Sequence, residues 1–515
     1  MVNRMITRYF KLSSIVFVFL FCIPSLTSID FFNDVYAHPV VIDSSPKQFQ
    51  SLEESPDKVI VFFSEAIVLQ YSQISVIDSQ GTRVDDGKPE NYDDDLSTIA
   101  ININEDLPKG TYTINTKVLS AVDGHVVDNS VVFSVGETIS GLGELPTTAT
   151  SKSIFEIISF DNSLSRVPGY VGQILIIGAP LIFLWIQKPL SQFDHIRIQM
   201  NNVFVGARKN LVKLIIIADS LVIFSVVIMV VLQASSIGGN VIDVFSTEFG
   251  EILIIRLIIS IILLIATLIF YNKFNKSQYY SVNNNKGLLL IISLGLAILF
   301  TNSLISHAAA LKDTLPIFLD YFHGIAASIW IGSLVFLAFI FIPRILQIKE
   351  NELKSRIISI IIPRFSILIL PILGSIVLTG PTLLWSIENN LFTTFSSLYG
   401  KILILKLILA AIMILLGGYH EFVTSNKLRN ILIKRIGDCT ELLSTASLSP
   451  SLRKFQILLR IESVVGFALL FVVSLMTNMV LPSGEFTPTL DNSNNNNNNN
   501  NNNQFSNATS QTDGI

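Results

Sequence analysis

Eight long apolar runs constrain this chain more than any other feature. They cover about 168–187, 211–233, 250–271, 287–306, 316–342, 365–385, 399–419 and 461–481, and each is near the roughly 20 residues needed to cross a bilayer as a helix. The expectation is an all-α polytopic membrane region over 168–482. Of the 515 residues, half are hydrophobic and only 14% charged, far below the roughly 25% of soluble proteins. Orientation follows from Lys and Arg, which number 5, 3, 5 and 7 in loops 188–213, 272–286, 343–364 and 420–460. Three sit beside the spans on the other side (Arg166, Lys312 and Lys401). The positive-inside rule then makes both ends of the mature chain extracytoplasmic and the protein a multi-pass one of the cell membrane.

The first segment has a basic start (Arg4, Arg8, Lys11), an apolar run through Leu12–Leu26 and the sequence Val35-Tyr36-Ala37. This is a secretory signal pattern, assigned to 1–37; an uncleaved anchor helix is the competing reading. Cleavage after Ala37 makes His38 the first mature residue and removes Cys22, leaving Cys439. Neither a disulfide framework nor a CxxC site is then possible.

Residues 38–137 hold 17 Asp+Glu against 6 Lys+Arg, which argues against a nucleic-acid partner. Short alternating runs at Val59–Phe63, Ile74–Ile77, Thr98–Ile103, Thr111–Val118 and Ser130–Val135 are separated by turn signals at Asp78–Gly81, Asp85–Pro89, Pro108–Gly110 and Asp123–Gly124. This pattern predicts a small antiparallel β-sandwich, immunoglobulin-like in class. Residues 138–167 read as a linker. The tail 483–515, with ten consecutive Asn at 494–503, reads as disordered and extracytoplasmic.

Six histidines carry most of the candidate chemistry. A mature His38 offers its α-amine and imidazole as a chelate, and Pro39 has no amide N–H to add. Asp123 and His125 are two apart, on one face of extended chain. An amine, two imidazoles and a carboxylate suit Cu(II). The same stretch also reads as a hairpin turn with His125 a surface flank. In the membrane region, His307 ends one span. Asp320 and His323 share a helical face with Trp330, while Gly324, Ser328 and Gly332 line an adjoining stripe that admits a close neighbour. Met476 and Met479 are soft donors suited to Cu(I) and equally ordinary packing residues. His307 and His323 read either as a copper relay or as interhelical hydrogen-bonding groups. Asp219, Arg256, Lys406 and Glu462 fall in or at the edges of spans, where charge is costly. His195 and His420 fall on the opposite side from the sandwich.

The stretches His38-Pro39, Ser45-Pro46, Phe62–Glu65, Leu107–Tyr112 and Ser120–His125 resemble the CopC family of periplasmic copper-binding proteins. That resemblance implies a Greek-key sandwich holding Cu(II) through His38, Asp123 and His125. Some members carry a Met-rich Cu(I) loop, but 38–150 contains no Met. Ser306–Ala308, Asp320–Gly332, Arg364–Ser366, Thr379-Gly380, Leu398–Lys401 with Lys406, and Arg460–Glu462 resemble the membrane partner family, CopD. The implied function is copper capture outside the cell and passage to the membrane region for import or homeostasis. Copper is the expected ligand, as Cu(II) in the sandwich and Cu(I) in the membrane; lipid and other copper-handling proteins are the expected partners. Sequestration without transport, a haem redox protein using His307 and His323, and an extracellular copper oxidase using the His38 chelate are the alternatives. No catalytic residues or enzyme activity are expected, and no GxxxxGK[ST] loop is present for ATP.

Overall fold

The computed structural model describes residues 39–104, 106–121, 124, 126–136, 160–190, 201–276, 285–310, 314–387, 391–419 and 441–479. The expectations for the signal 1–37, most of the linker, the Asn-rich tail, His38, Asp123, His125, His195 and His420 lie outside the described residues.

Seven strands form two sheets: β1 (Val41–Ser45), β2 (Ser51–Leu52), β3 (Lys58–Phe63), β4 (Gln73–Asp78), β5 (Thr98–Asn102), β6 (Gly110–Leu119) and β7 (Val126–Val135). One sheet has the order β1-β3-β5 and the other β2-β7-β6-β4. All pairings are antiparallel except β2 with β7. The alternation in β3 buries Val59, Val61 and Phe63 against Val76, Ile99, Ile101, Ile114 and Phe133 between the sheets. Each such large side chain contributes roughly 1.5–3 kcal/mol by leaving water.

The strand read from Ser130 begins at Val126, because β6 and β7 pair continuously from Leu119↔Val126 to Gly110↔Val135. Its first residues, Val126–Asn129, have no apolar alternation and are ordered by that pairing. At the other end of this hairpin, Tyr112 stacks on Phe133 and its hydroxyl donates to the Pro108 carbonyl at 2.7 Å. Burial, reinforced by the Asp78 carboxylate, pushes the phenol above its ordinary pKa, so the hydroxyl remains a donor. Tyr112→Phe is expected to lower sandwich stability by about 1 kcal/mol, read from urea unfolding.

Among the described residues, the second region contains eight helices long and apolar enough to span a membrane. They are α1 (Phe160–Leu190), α2 (Asn201–Ser236), α3 (Glu248–Lys276), α4 (Lys286–Ser303), α5 (Thr314–Phe336), α6 (Asn351–Ile387), α7 (Leu398–Tyr419) and α8 (Glu441–Met476). Helix α1 packs against α2, α4, α5 and α8 and is the centre of the bundle. Its crossing with α5 is close because Gly178 meets Gly332. A Cβ on either would lie within 3 Å of the other's Cα and would strike a backbone carbonyl, that of Ser328 or Ile174. Of the Gly324/Ser328/Gly332 stripe, Ser328 and Gly332 thus admit α1, while Gly324 meets the Leu299 side chain of α4 at ordinary contact distance. The outer faces of α3 and α7 present Ile258, Ile262, Ile265, Ile269, Leu407 and Leu415, side chains that lipid would solvate.

Several helix boundaries differ from the hydropathy reading, α2 and α8 starting ten and twenty residues earlier at Asn201 and Glu441, and three differences have a visible structural basis. Helix α1 starts at Phe160 rather than 168, because Ser163 and Ser165 are buried by tertiary contacts that hydropathy does not register. Helix α6 starts at Asn351 and contains Pro363, Pro371 and Pro381, which a bundle tolerates when neighbours re-satisfy the freed backbone groups. Helix α5 continues through a π-helical segment, Leu337–Phe341, into a last turn at Ile342–Leu346.

A candidate copper entry site at the docked loop

Gly124 carries the loop between β6 and β7, with φ +73°, a left-handed backbone that favours glycine. The loop sits on the membrane bundle. Gln233, near the end of α2, donates from Nε2 to the Gly124 carbonyl at 2.6 Å. The Phe249 ring, at the start of α3, lies so near that a Cβ on residue 124 would be 2.8 Å from its Cγ. Tyr71 adds a second contact, its hydroxyl lying 3.2 Å from Ser246 Oγ. Gly124 is thus seated at the end of the bundle where α2 finishes and α3 begins.

Below Gly124 is a small pocket lined by Asn162, Ser165, Arg166, Met229, Gln233 and Phe249. Arg166 and Met229 also line a second, smaller pocket, with Tyr170, Gln173, Ser225, Arg256 and Asn302. Ser225 Oγ donates to the Ser165 carbonyl at 2.6 Å and approaches Met229 Sδ at 3.9 Å.

The membrane candidates lie at the same end of the bundle as the sandwich. His307, in the short helix His307–Ala310 after α4, places Nε2 3.2 Å from the Met476 carbonyl. A carbonyl only accepts, so Nε2 carries the proton and Nδ1 is the ring's acceptor nitrogen. His323 Nδ1 lies 2.8 Å from Thr379 Oγ1 on α6, and that hydroxyl donates to the Ser375 carbonyl. The network therefore assigns the Nδ1 proton to His323 and leaves Nε2 with its lone pair, the tautomer a metal ligand needs. Gly380 keeps side-chain bulk away, since a Cβ there would stand 3.6 Å from His323 Cε1.

Asp320 is within hydrogen-bonding reach of the Ser303 and Ser306 hydroxyls, and Lys406 on α7 interacts electrostatically with both Asp320 and His323. Met476 and Met479 are buried beside Tyr399 and Leu403. Met476 meets His307 through its backbone carbonyl. Among the described residues, no three or more His, Cys, Asp or Glu side chains cluster around a potential metal position.

Of the charged span residues, Glu462 pairs with the Trp330 indole, Arg256 Nε donates to Thr301 Oγ1 at 2.7 Å, and Asp219 is buried beside Ser260. The seat residues Gln233 and Phe249 were not singled out by sequence reasoning. Gln233 is a lone amide in the apolar 211–233 run, the one local signal that could have drawn attention to it.

Comparison with known families finds three matching domains. The CopC domain matches residues 41–136, the N-terminal domain of copper resistance protein D-like proteins matches 162–317, and copper resistance protein D matches 360–476. The chain is 25% identical over 405 residues to the copper transport protein CutJ of Bacillus subtilis (strain 168), covering 76% of this chain and 69% of CutJ. Among solved structures, CopC from Methylosinus trichosporium OB3b is 31% identical over 19% of this chain and 93% of its own, with a TM-score of 0.18. PcoC, a methionine-rich copper resistance protein from Escherichia coli, is 24% identical over 19% of this chain and 98% of its own, with a TM-score of 0.17. The chain thus joins a CopC domain to a membrane region matched by two copper resistance protein D-type domains, and it is similar over most of its length to a copper transport protein.

Proposed function

We propose that this protein captures Cu(II) outside the cell on its β-sandwich and passes copper into its membrane region for import. Cleavage after Ala37 exposes His38, which holds the ion together with Asp123 and His125. The acidic sandwich raises the local cation concentration. The observation that carries the reading is the seat of Gly124, whose carbonyl takes a hydrogen bond from Gln233 on α2 at 2.6 Å. Its chain neighbours are the proposed ligands Asp123 and His125, so a captured ion would be released at the mouth of the helical bundle. From there Met229 offers a thioether in both cavities. His307, Asp320 and His323 follow at the same end, and the His323 tautomer supports a ligand role. Met476 and Met479 complete the proposed relay as soft donors, which suits passage as Cu(I).

Two measurements test this. Residues 38–137 with a native His38 amino terminus are expected to bind Cu(II) at least tenfold more tightly than the same segment with one extra residue in front or with His125→Ala, measured by competition with a chromophoric chelator. In whole cells, expression is expected to raise copper that resists a chelator wash, and His125→Ala to bring it back to the level of cells lacking the chain. Copper that is bound but wholly removed by the wash would instead identify a buffer, and no effect of His125→Ala on either readout would overturn the capture site.

A further inference from the structure

The space beneath the docked loop has an unusual balance of charge. Arg166 is 7% exposed and Arg256 3%, and the two guanidiniums are close enough to repel each other. Neither cavity that Arg166 lines has a carboxylate among its described lining residues. Arg256 Nε is satisfied by Thr301, but its buried Nη2 has no hydrogen-bond partner. Buried charges are found paired, and an uncompensated guanidinium is among the costliest groups to bury. The other lining groups are neutral. Gln173 Oε1 already accepts from Asn302 Nδ2, which leaves the Gln173 amide nitrogen as a further donor. The Ser225 hydroxyl is already spent on Ser165.

We propose that Arg166 and Arg256 bind a small inorganic anion of the size of chloride, held in the cavity between α1, α2, α3 and α4. The size follows from the walls. Gly169 brings α1 so close to α2 that an added Cβ would stand 2.7 Å from Ser225 Oγ, which leaves no width for an organic anion. Access runs from the adjoining cavity under Gly124, since Arg166 and Met229 line both. The bound anion cancels one of the two positive charges in a region that any cation arriving from the sandwich must meet. The site does not depend on the copper reading, and its test uses no copper.

The full-length protein, purified in detergent in a gluconate buffer of fixed ionic strength, is titrated with radiolabelled chloride. Saturable binding of about one ion per chain is expected, displaced by bromide and not by gluconate. Arg256→Gln and Arg166→Gln are each expected to weaken it at least tenfold while keeping the elution profile and helical circular dichroism of the parent. Absence of saturable binding to the parent protein overturns the proposal, as does unchanged binding in both variants. Should either variant fail to fold, crystals of the parent grown in bromide decide the matter: an anomalous peak between Arg166 and Arg256 supports the site, and its absence there overturns it.

Discussion

Replacing Gly332 with alanine is expected to remove most of the folded, monodisperse protein recovered in detergent. The added methyl would fall 2.9 Å from the Gly178 Cα and against the Ile174 carbonyl. Both are backbone atoms of α1, so no side-chain rotation relieves the contact, and the two helices at the centre of the bundle must separate. Overpacking a core costs 1–3 kcal/mol when side chains can yield; here about 3 kcal/mol or more is expected, and roughly a 5–10 °C fall in the thermal midpoint. Gly324→Ala is the matched comparison. Its methyl would meet only Leu299 side-chain carbons at 3.4–3.7 Å, and near-parental recovery is expected. Equal behaviour of the two variants in fluorescence-detected size-exclusion chromatography would contradict the close α1–α5 crossing.

Gly124→Ala is expected to uncouple the sandwich from the bundle and reduce chelator-resistant copper uptake to near the level of cells lacking the chain. Two penalties act together. An L-residue at φ +73° costs on the order of 1–2 kcal/mol, and its methyl would stand 2.8 Å from the Phe249 ring. Copper binding by the isolated sandwich is expected to fall far less than uptake, because Phe249 is absent there. Adding Phe249→Ala removes the steric term and leaves the backbone term, so partial recovery of uptake in the double variant is the expected sign of coupling between the two positions. Full uptake by Gly124→Ala would mean that the seat on Gln233 and Phe249 has no part in transfer.

What could be read before the structure depended on whether a signal was local. The alternation at Val59–Phe63 identifies an inward face directly, and β3 has that face. The apolar runs announce eight spans because bilayer length is a property of the run alone. The start of α1 was not legible, since Ser163, Ser165 and Arg166 look like linker until other helices bury them. The same holds for β1 and β2, which are short and ordered by partners distant in sequence. At the candidate site, residue types and spacing pointed to His307, Asp320 and His323. Their partners Thr379, Met476, Ser303 and Lys406 come from other helices and are visible only in three dimensions. The contact from Gln233 to Gly124 spans 109 residues, and no periodicity encodes it.

The π-helical segment at Leu337–Phe341 gives α5 two angular phases. One extra residue accommodated without an extra turn rotates everything beyond it by about 100° relative to an unbroken helix. The stripe that carries Asp320, His323 and Trp330 therefore does not continue to the far end. Beyond the offset, Arg344 is aimed at α2, where its guanidinium closes over Gly206 so tightly that a Cβ there would overlap it. One continuous helix can thus present its histidine-bearing half to α6 and its basic half to α2. Deleting a single residue from the segment would put these two halves into competition for the same orientation.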